Sequence, residues 1–106
     1  MKNILTILFL LVSFTASAQQ IKVVQINADW NHQNTRLDLN ELKGCAYQFG
    51  WLRHQTKSIQ NELIAVPVVL IFKDDKLVKK YEAGISLKLN TPFEEIQQEI
   101  NAIKED

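Results

Sequence analysis

Ala65-Val66-Pro67-Val68-Val69-Leu70-Ile71-Phe72-Lys73 runs into Asp74-Asp75-Lys76 and then into Leu77-Val78-Lys79-Lys80-Tyr81-Glu82-Ala83. Val68 to Phe72 is the most apolar run downstream of the N-terminal segment and is rich in β-branched residues, which suits a buried strand. The second stretch alternates Leu77, Lys79, Tyr81 and Ala83 against Val78, Lys80 and Glu82, as a strand with one solvated side does. Lys73-Asp74-Asp75-Lys76 between them is a polar reversal, so the two runs read as an antiparallel hairpin that ends at Gly84.

Upstream, Ile21 to Ala28 carries Val23, Val24 and Ile26 and reads as a strand, closed by polar Asp29 to Asn34. Thr35 to Lys43 places Leu37, Leu39 and Leu42 among polar residues ahead of Gly44, a pattern that predicts a helix of about two turns with a glycine stop. Cys45 to Leu52 reads as a second strand despite Gly50, with Tyr47, Phe49 and Trp51 on one face, and Ser58 to Leu63 as a short helix. Downstream, Thr91-Pro92-Phe93-Glu94 is a capping-box pattern. Phe93, Ile96, Ile100 and Ile103 then recur at helical spacing, a stripe that should lie on the sheet. A helical crossover between the first two strands favours a parallel pair. The fold expected is α/β: a central mixed sheet of about four strands, a parallel pair plus the antiparallel hairpin, flanked by helices.

The N-terminus reads as an address. Lys2 precedes the apolar run Ile4 to Phe14, broken only by Thr6 and Ser13, and Ala16-Ser17-Ala18 offers small residues before a cut ahead of Gln19. That order predicts a secretory signal peptide over residues 1–18, and a run about half the length of a membrane span predicts no stable anchor once it is removed. The chain is expected to be exported, to the periplasm or beyond the cell, with residues 19–106 as one domain. Losing Lys2 takes the formal charge from zero to −1, and no block of like charge exceeds two residues. Nucleic-acid binding therefore has no support. One cysteine, Cys45, closes no internal disulfide, so stability has to come from packing. The thiol reads first as a small buried hydrophobe, with a Cys45-linked dimer as the alternative to a monomer.

Two of these stretches resemble the thioredoxin-like superfamily, in the form of an exported bacterial-type member. Val23-Val24-Gln25-Ile26-Asn27-Ala28-Asp29-Trp30 is similar to that family's central strand entering its active-site tryptophan. Ala65 to Lys73 is similar to the segment that carries the family's cis-proline and the following hairpin strand, and Gly84 and the terminal helix follow in order. The resemblance implies a thioredoxin-like fold lacking the family's N-terminal strand and helix. It also implies a degenerate active-site loop. Where the family has Cys-X-X-Cys after the tryptophan, this chain reads Asn31-His32-Gln33-Asn34 after Trp30, and Gln25 stands where the family buries an acid. Thiol–disulfide exchange needs an attacking thiolate and a resolving thiol, and carboxamides supply neither. Cys45 falls at the far end of the strands from this loop, by about 20 Å.

The resemblance therefore implies a redox-inactive binding module for an exported polypeptide. Its surface would be Trp30 with Val66 and Pro67 beside a polar tip of Asn31, His32, Gln33 and Asn34, with backbone groups of the proline loop open to strand addition. Two other readings stay open: an oxidoreductase-related activity in the cell envelope through Cys45, and a structural subunit of an envelope assembly. His32, His54 and Asp29 lack the spacing of a metal site, so neither metal nor cofactor is expected.

Overall fold

A computed structural model describes residues 20–105; the export signal read over residues 1–18 lies outside the described residues. The described residues form four strands, β1 (Ile21–Asn27), β2 (Ala46–Trp51), β3 (Val68–Lys73) and β4 (Lys76–Glu82), and two α-helices, α1 (Lys57–Glu62) and α2 (Phe93–Lys104). They build one mixed sheet in the order β2-β1-β3-β4. β1 pairs parallel with β2, Lys22 opposite Ala46 and Asn27 opposite Trp51, and antiparallel with β3, Val23 opposite Ile71. The parallel pair and the hairpin expected from the apolar pattern are both present.

The hairpin turn follows from local chemistry. Asp74 and Asp75 both hold positive φ, 51° and 71°. Aspartate is one of the few residues that tolerate the left-handed region, and a two-residue turn with both φ positive matches the twist of the strands it joins. The turn is pinned to the start of β1: Asp74 N donates to the Gln20 carbonyl at 2.9 Å, and Gln20 N donates to the Asp74 carboxylate at 3.1 Å. Just beyond the turn, Phe72 opposes Leu77 whereas Ile71 opposes Lys79, so Val78 is an extra residue in β4.

Period-two alternation sorts the sheet into two unequal faces. One carries Ile21 and Val23 of β1, Val69 and Ile71 of β3 and Tyr81 of β4, and α2 lies on it through Ile96, Ile100 and Ile103, with Phe93 partly buried at its start. Leu39, Leu42 and Leu89 complete this core. Each fully buried aliphatic side chain here stabilises the fold by about 1.5–3 kcal/mol relative to exposure. Lys73 closes the far end of α2, donating from Nζ to the Ile103 carbonyl at 3.1 Å. There the terminal carbonyls of the last helical turn and the negative end of the helix dipole both favour a cation. On the other face, among the described residues, the six-residue α1 approaches the sheet and buries none of its residues, which leaves a groove floored by Val24, Leu70, Phe72 and Leu77.

Two expected local structures are corrected. Thr35 to Lys43 is not a two-turn helix; only Leu39–Glu41 forms a 3-10 turn, Leu39 and Leu42 are buried, and Leu37 stands exposed. The reason lies in β1. The buried Gln25 carboxamide accepts from Arg36 N at 2.9 Å and donates to the Arg36 carbonyl at 3.0 Å, so these backbone groups are bonded to a side chain rather than to a helical ladder. Thr91 does not form the capping box. α2 starts one residue later than that pattern requires, with Pro92 as its N-cap and no side-chain cap, and the Thr91 carbonyl instead accepts from Arg36 Nη1 at 2.7 Å.

Burial pushes the Tyr81 phenol up to about 12, with Glu99 and Glu95 of α2 adding repulsion, and burial also raises Tyr47. A tyrosine in the unfolded chain ionises near about 10. The stability carried by neutral Tyr81 is therefore complete below about pH 10 and is lost as the pH rises from about 10 towards about 12. In an alkaline titration followed by phenolate absorbance and circular dichroism, the account expects ionisation to lag behind a free tyrosine and to coincide with loss of structure. Ordinary titration of both tyrosines with the fold intact would contradict it.

Candidate functional site

Three loops meet at the end of the sheet where β1 finishes. The first, Asp29–Asn34, turns in 3-10 geometry rather than as open loop, with Ala28 before it and Thr35 after it extended. The second is the approach to β3, where the Val66–Pro67 bond is cis. The third follows β4 from Gly84 to Leu87, closed by a bond from Leu87 N to the Gly84 carbonyl.

One side chain ties all three together. Asn31 is 2 % exposed, and its Nδ2 donates to the Leu87 carbonyl at 3.0 Å, to Asn27 Oδ1 at 3.2 Å and to the Val66 carbonyl at 3.3 Å. Two amide hydrogens are thus shared among three acceptors from three parts of the chain. Its Oδ1 accepts from Asn34 Nδ2 at 2.7 Å. Asn27, fully buried at the end of β1, completes the cluster by donating to the Asn31 carbonyl and to Thr35 Oγ1 while its own Oδ1 accepts from Ala28 N. Gln25 works similarly one step deeper, adding a 2.8 Å bond from its Nε2 to the Tyr47 hydroxyl. Buried carboxamides of this kind are tolerated because every polar atom finds a partner.

The expected site residues therefore separate. Asn31, read from sequence as part of a polar tip, is interior. The Val66 and Pro67 side chains, read as an apolar wall, are also buried, packed out of reach of a ligand. Their carbonyls are already engaged, Val66 O by Asn31 and Pro67 O by Ala83 N at 3.1 Å, so this segment is not an open edge for strand addition. What the loop does present is Trp30, 65 % exposed, with His32 and Gln33, while Asn34 is half-buried beneath them.

The exposed surface has members that sequence reasoning missed. Ile64 is 86 % exposed and Ile85 fully so. Trp30 adjoins Asn31, Ile64 stands two residues before Val66, and Ile85 two before Leu87. Every one of the three carriers is thus held within two residues of a bond made by the Asn31 amide. Ile85 had a readable signal: an isolated β-branched residue between Gly84 and Ser86 that no strand or helix period requires.

The remaining candidates are occupied elsewhere. Asp29 forms an ion pair with Arg53, whose guanidinium lies 5.8 Å from the Trp51 ring centroid, and His32 Nδ1 lies 3.2 Å from the Asp29 carbonyl. Among the described residues, no three His, Cys, Asp or Glu side chains gather where a metal ion could sit. Cys45 precedes β2, level with Ile21 and Lys22 at the opposite end of β1 from Asn27. It is partly buried beside the core, and desolvation raises its thiol above the usual cysteine range. That disfavours the thiolate on which nucleophilic sulfur chemistry depends.

A scan against models of protein families finds no match to this chain, and a search of curated proteins finds no relative.

Asn31→Asp keeps the shape but replaces the donor by a carboxylate facing three oxygens. The account expects a loss of roughly 3 kcal/mol in urea denaturation at neutral pH. Acid should return part of that loss, because a protonated carboxyl regains one hydrogen to donate. A variant as stable as the parent at neutral pH would show that the amide holds nothing together.

Proposed function

We propose that this chain is an exported thioredoxin-fold protein, periplasmic or secreted, in which the position of the dithiol has become a structural amide. The loop end of the sheet then serves as a docking patch for a polypeptide. The observation that carries the reading is that three exposed apolar side chains, Trp30, Ile64 and Ile85, stand on loops fastened by the same buried carboxamide. Holding a large apolar side chain in water has no folding benefit. Doing so three times on a rigid frame suits a surface that becomes buried against a partner. Tryptophan is the residue type most often found at the energetic centre of such contacts.

The thioredoxin-fold part of the proposal is supported by the strand order, by the parallel β1–β2 pair, and by a cis-proline loop bonded directly to the loop after β1. The export part rests on the sequence pattern of residues 1–18 alone. A binding role agrees with the chemistry of the loop, whose exposed members are an indole, an imidazole and an amide, with no thiol within reach. The partner class favoured is an extended or helical segment with an apolar anchor, since the patch carries no cluster of charge.

The test is an array of apolar and polar peptides probed with the purified protein, with affinities of the hits measured in solution. Trp30→Ala is expected to weaken binding of an apolar hit about 30-fold, the loss typical of a hot-spot tryptophan. Ile85→Ser should weaken it less, and a Cys45→Ser variant should bind as the parent does. Hits that bind equally well to parent, Trp30→Ala and Ile85→Ser would place recognition elsewhere and refute the proposal.

A further inference from the structure

The two edges of the sheet are built differently. β4 carries Lys76, Lys79 and Lys80, all exposed, and an extra residue at Val78. Charge, lysine above all, and bulges are the usual devices that keep an edge strand from pairing with another chain. β2 has neither. Ala46-Tyr47-Gln48-Phe49-Gly50-Trp51 contains no charged residue and no proline, its six residues pair with β1 in unbroken register, and among the described residues β1 is its only neighbour in the sheet. Of its backbone groups only the Trp51 carbonyl is engaged by a side chain among the described residues, accepting from Gln55 Nε2 at 3.0 Å, so the edge up to Gly50 is left without a charged, proline or bulge guard.

We infer that β2 is a self-association edge, pairing antiparallel with β2 of a second copy of this chain about a two-fold axis at Phe49. Three features of the chain select this occupant. First, charge: a β4–β4 contact would set lysines against lysines, and a β2–β4 contact would bring the same lysines to every junction, whereas β2–β2 opposes no like charges. Second, closure: β2–β2 pairing is isologous and stops at two copies, while β2–β4 pairing repeats without end.

Third, register. A two-fold axis through the sheet keeps matching faces together, so Phe49 meets Phe49, and Tyr47 and Trp51 of one copy meet Trp51 and Tyr47 of the other. All six rings then lie on one face, extending the edge-to-face contact that Phe49 and Trp51 already make at 4.8 Å and 89°. On the opposite face Gln48 stands across from Gly50, leaving the two Gln48 side chains as diagonal neighbours about 7–8 Å apart. The pairing makes one eight-stranded sheet whose two outer edges are both the lysine-bearing β4. It uses neither Cys45 nor the Trp30, Ile64 and Ile85 side chains. His32 of the loop borders the same cleft as Tyr47, Phe49 and Trp51, and the Gln48 variants below lie on the opposite face, so they test the pairing separately from the function proposed above.

The experiment is sedimentation velocity of the purified exported chain over a wide concentration range, with reductant present so that no Cys45 disulfide contributes. Gln48 is exposed and makes no side-chain hydrogen bond among those described, so changing it tests the edge without disturbing the core. The parent is expected to show a reversible monomer–dimer equilibrium. Gln48→Lys and Gln48→Glu should each associate about fivefold more weakly through like-charge repulsion, and an equimolar mixture of the two should regain the parent's association. A parent that remains monomeric from micromolar to millimolar concentration would overturn the inference. So would a Gln48→Lys variant that dimerises as tightly as the parent, or a mixture no tighter than either variant alone.

Discussion

An amide enclosed in a protein must find acceptors for its hydrogens, and in this chain that requirement falls on Asn31. With 2 % of its surface exposed, it has water on no useful side, and its nitrogen meets carbonyl groups from three segments that are otherwise distant in sequence. Leaving a buried polar group unpaired costs about 1–3 kcal/mol, comparable with a large part of the stability of a domain this small. The Asp29–Asn34 turn, the cis-proline approach to β3 and the turn after β4 are therefore fixed as a unit. The exposed Trp30, Ile64 and Ile85 inherit their positions from that unit rather than from contacts of their own.

The same logic repeats along β1. Its residues facing α2 run Ile21, Val23, Gln25, Asn27: apolar where α2 covers them, carboxamide where loops do. Gln25 and Asn27 each present one acceptor and two donors and so act as backbone substitutes for irregular segments that have no ladder to join. A carboxylate at either place would forfeit the donors, and a thiol at position 31 could not replace the branched pattern of bonds made by the amide. The residue types that exclude disulfide exchange are thus the ones that hold the loop end of the sheet together. The docking role proposed for this end of the sheet rests on the exposed side chains at its rim.

How far this was legible from sequence depends on which physics set each element. The hairpin, the parallel pair and α2 are governed by apolar periodicity and turn chemistry, which a sequence displays directly. The Val68 to Phe72 strand, lengthened by Lys73, the Asp74-Asp75 reversal, and the stripe of Phe93, Ile96, Ile100 and Ile103, with Phe93 only partly buried, are all present. The stretch Thr35 to Lys43 did not, because its leucine spacing suits a helix while its backbone partners lie on β1, invisible to any local window. Asn31 reads as part of a polar tip for a related reason: an asparagine after a strand is commonly a solvated turn residue, and only the three-dimensional meeting of loops makes it interior. Val66 and Pro67 sit where expected but point inward, and Ile64 and Ile85 take the exposed role.

Whether one interior amide fastens the three loops can be read from hydrogen exchange of side-chain amides followed by nuclear magnetic resonance. Exposed Gln33, two residues away, provides the internal reference. The account predicts that the Nδ2 protons of Asn31 exchange slowly, and that they do so together with backbone amides of β1 and β3 when the domain opens as a whole. Exchange of Asn31 at the rate of Gln33 would contradict it.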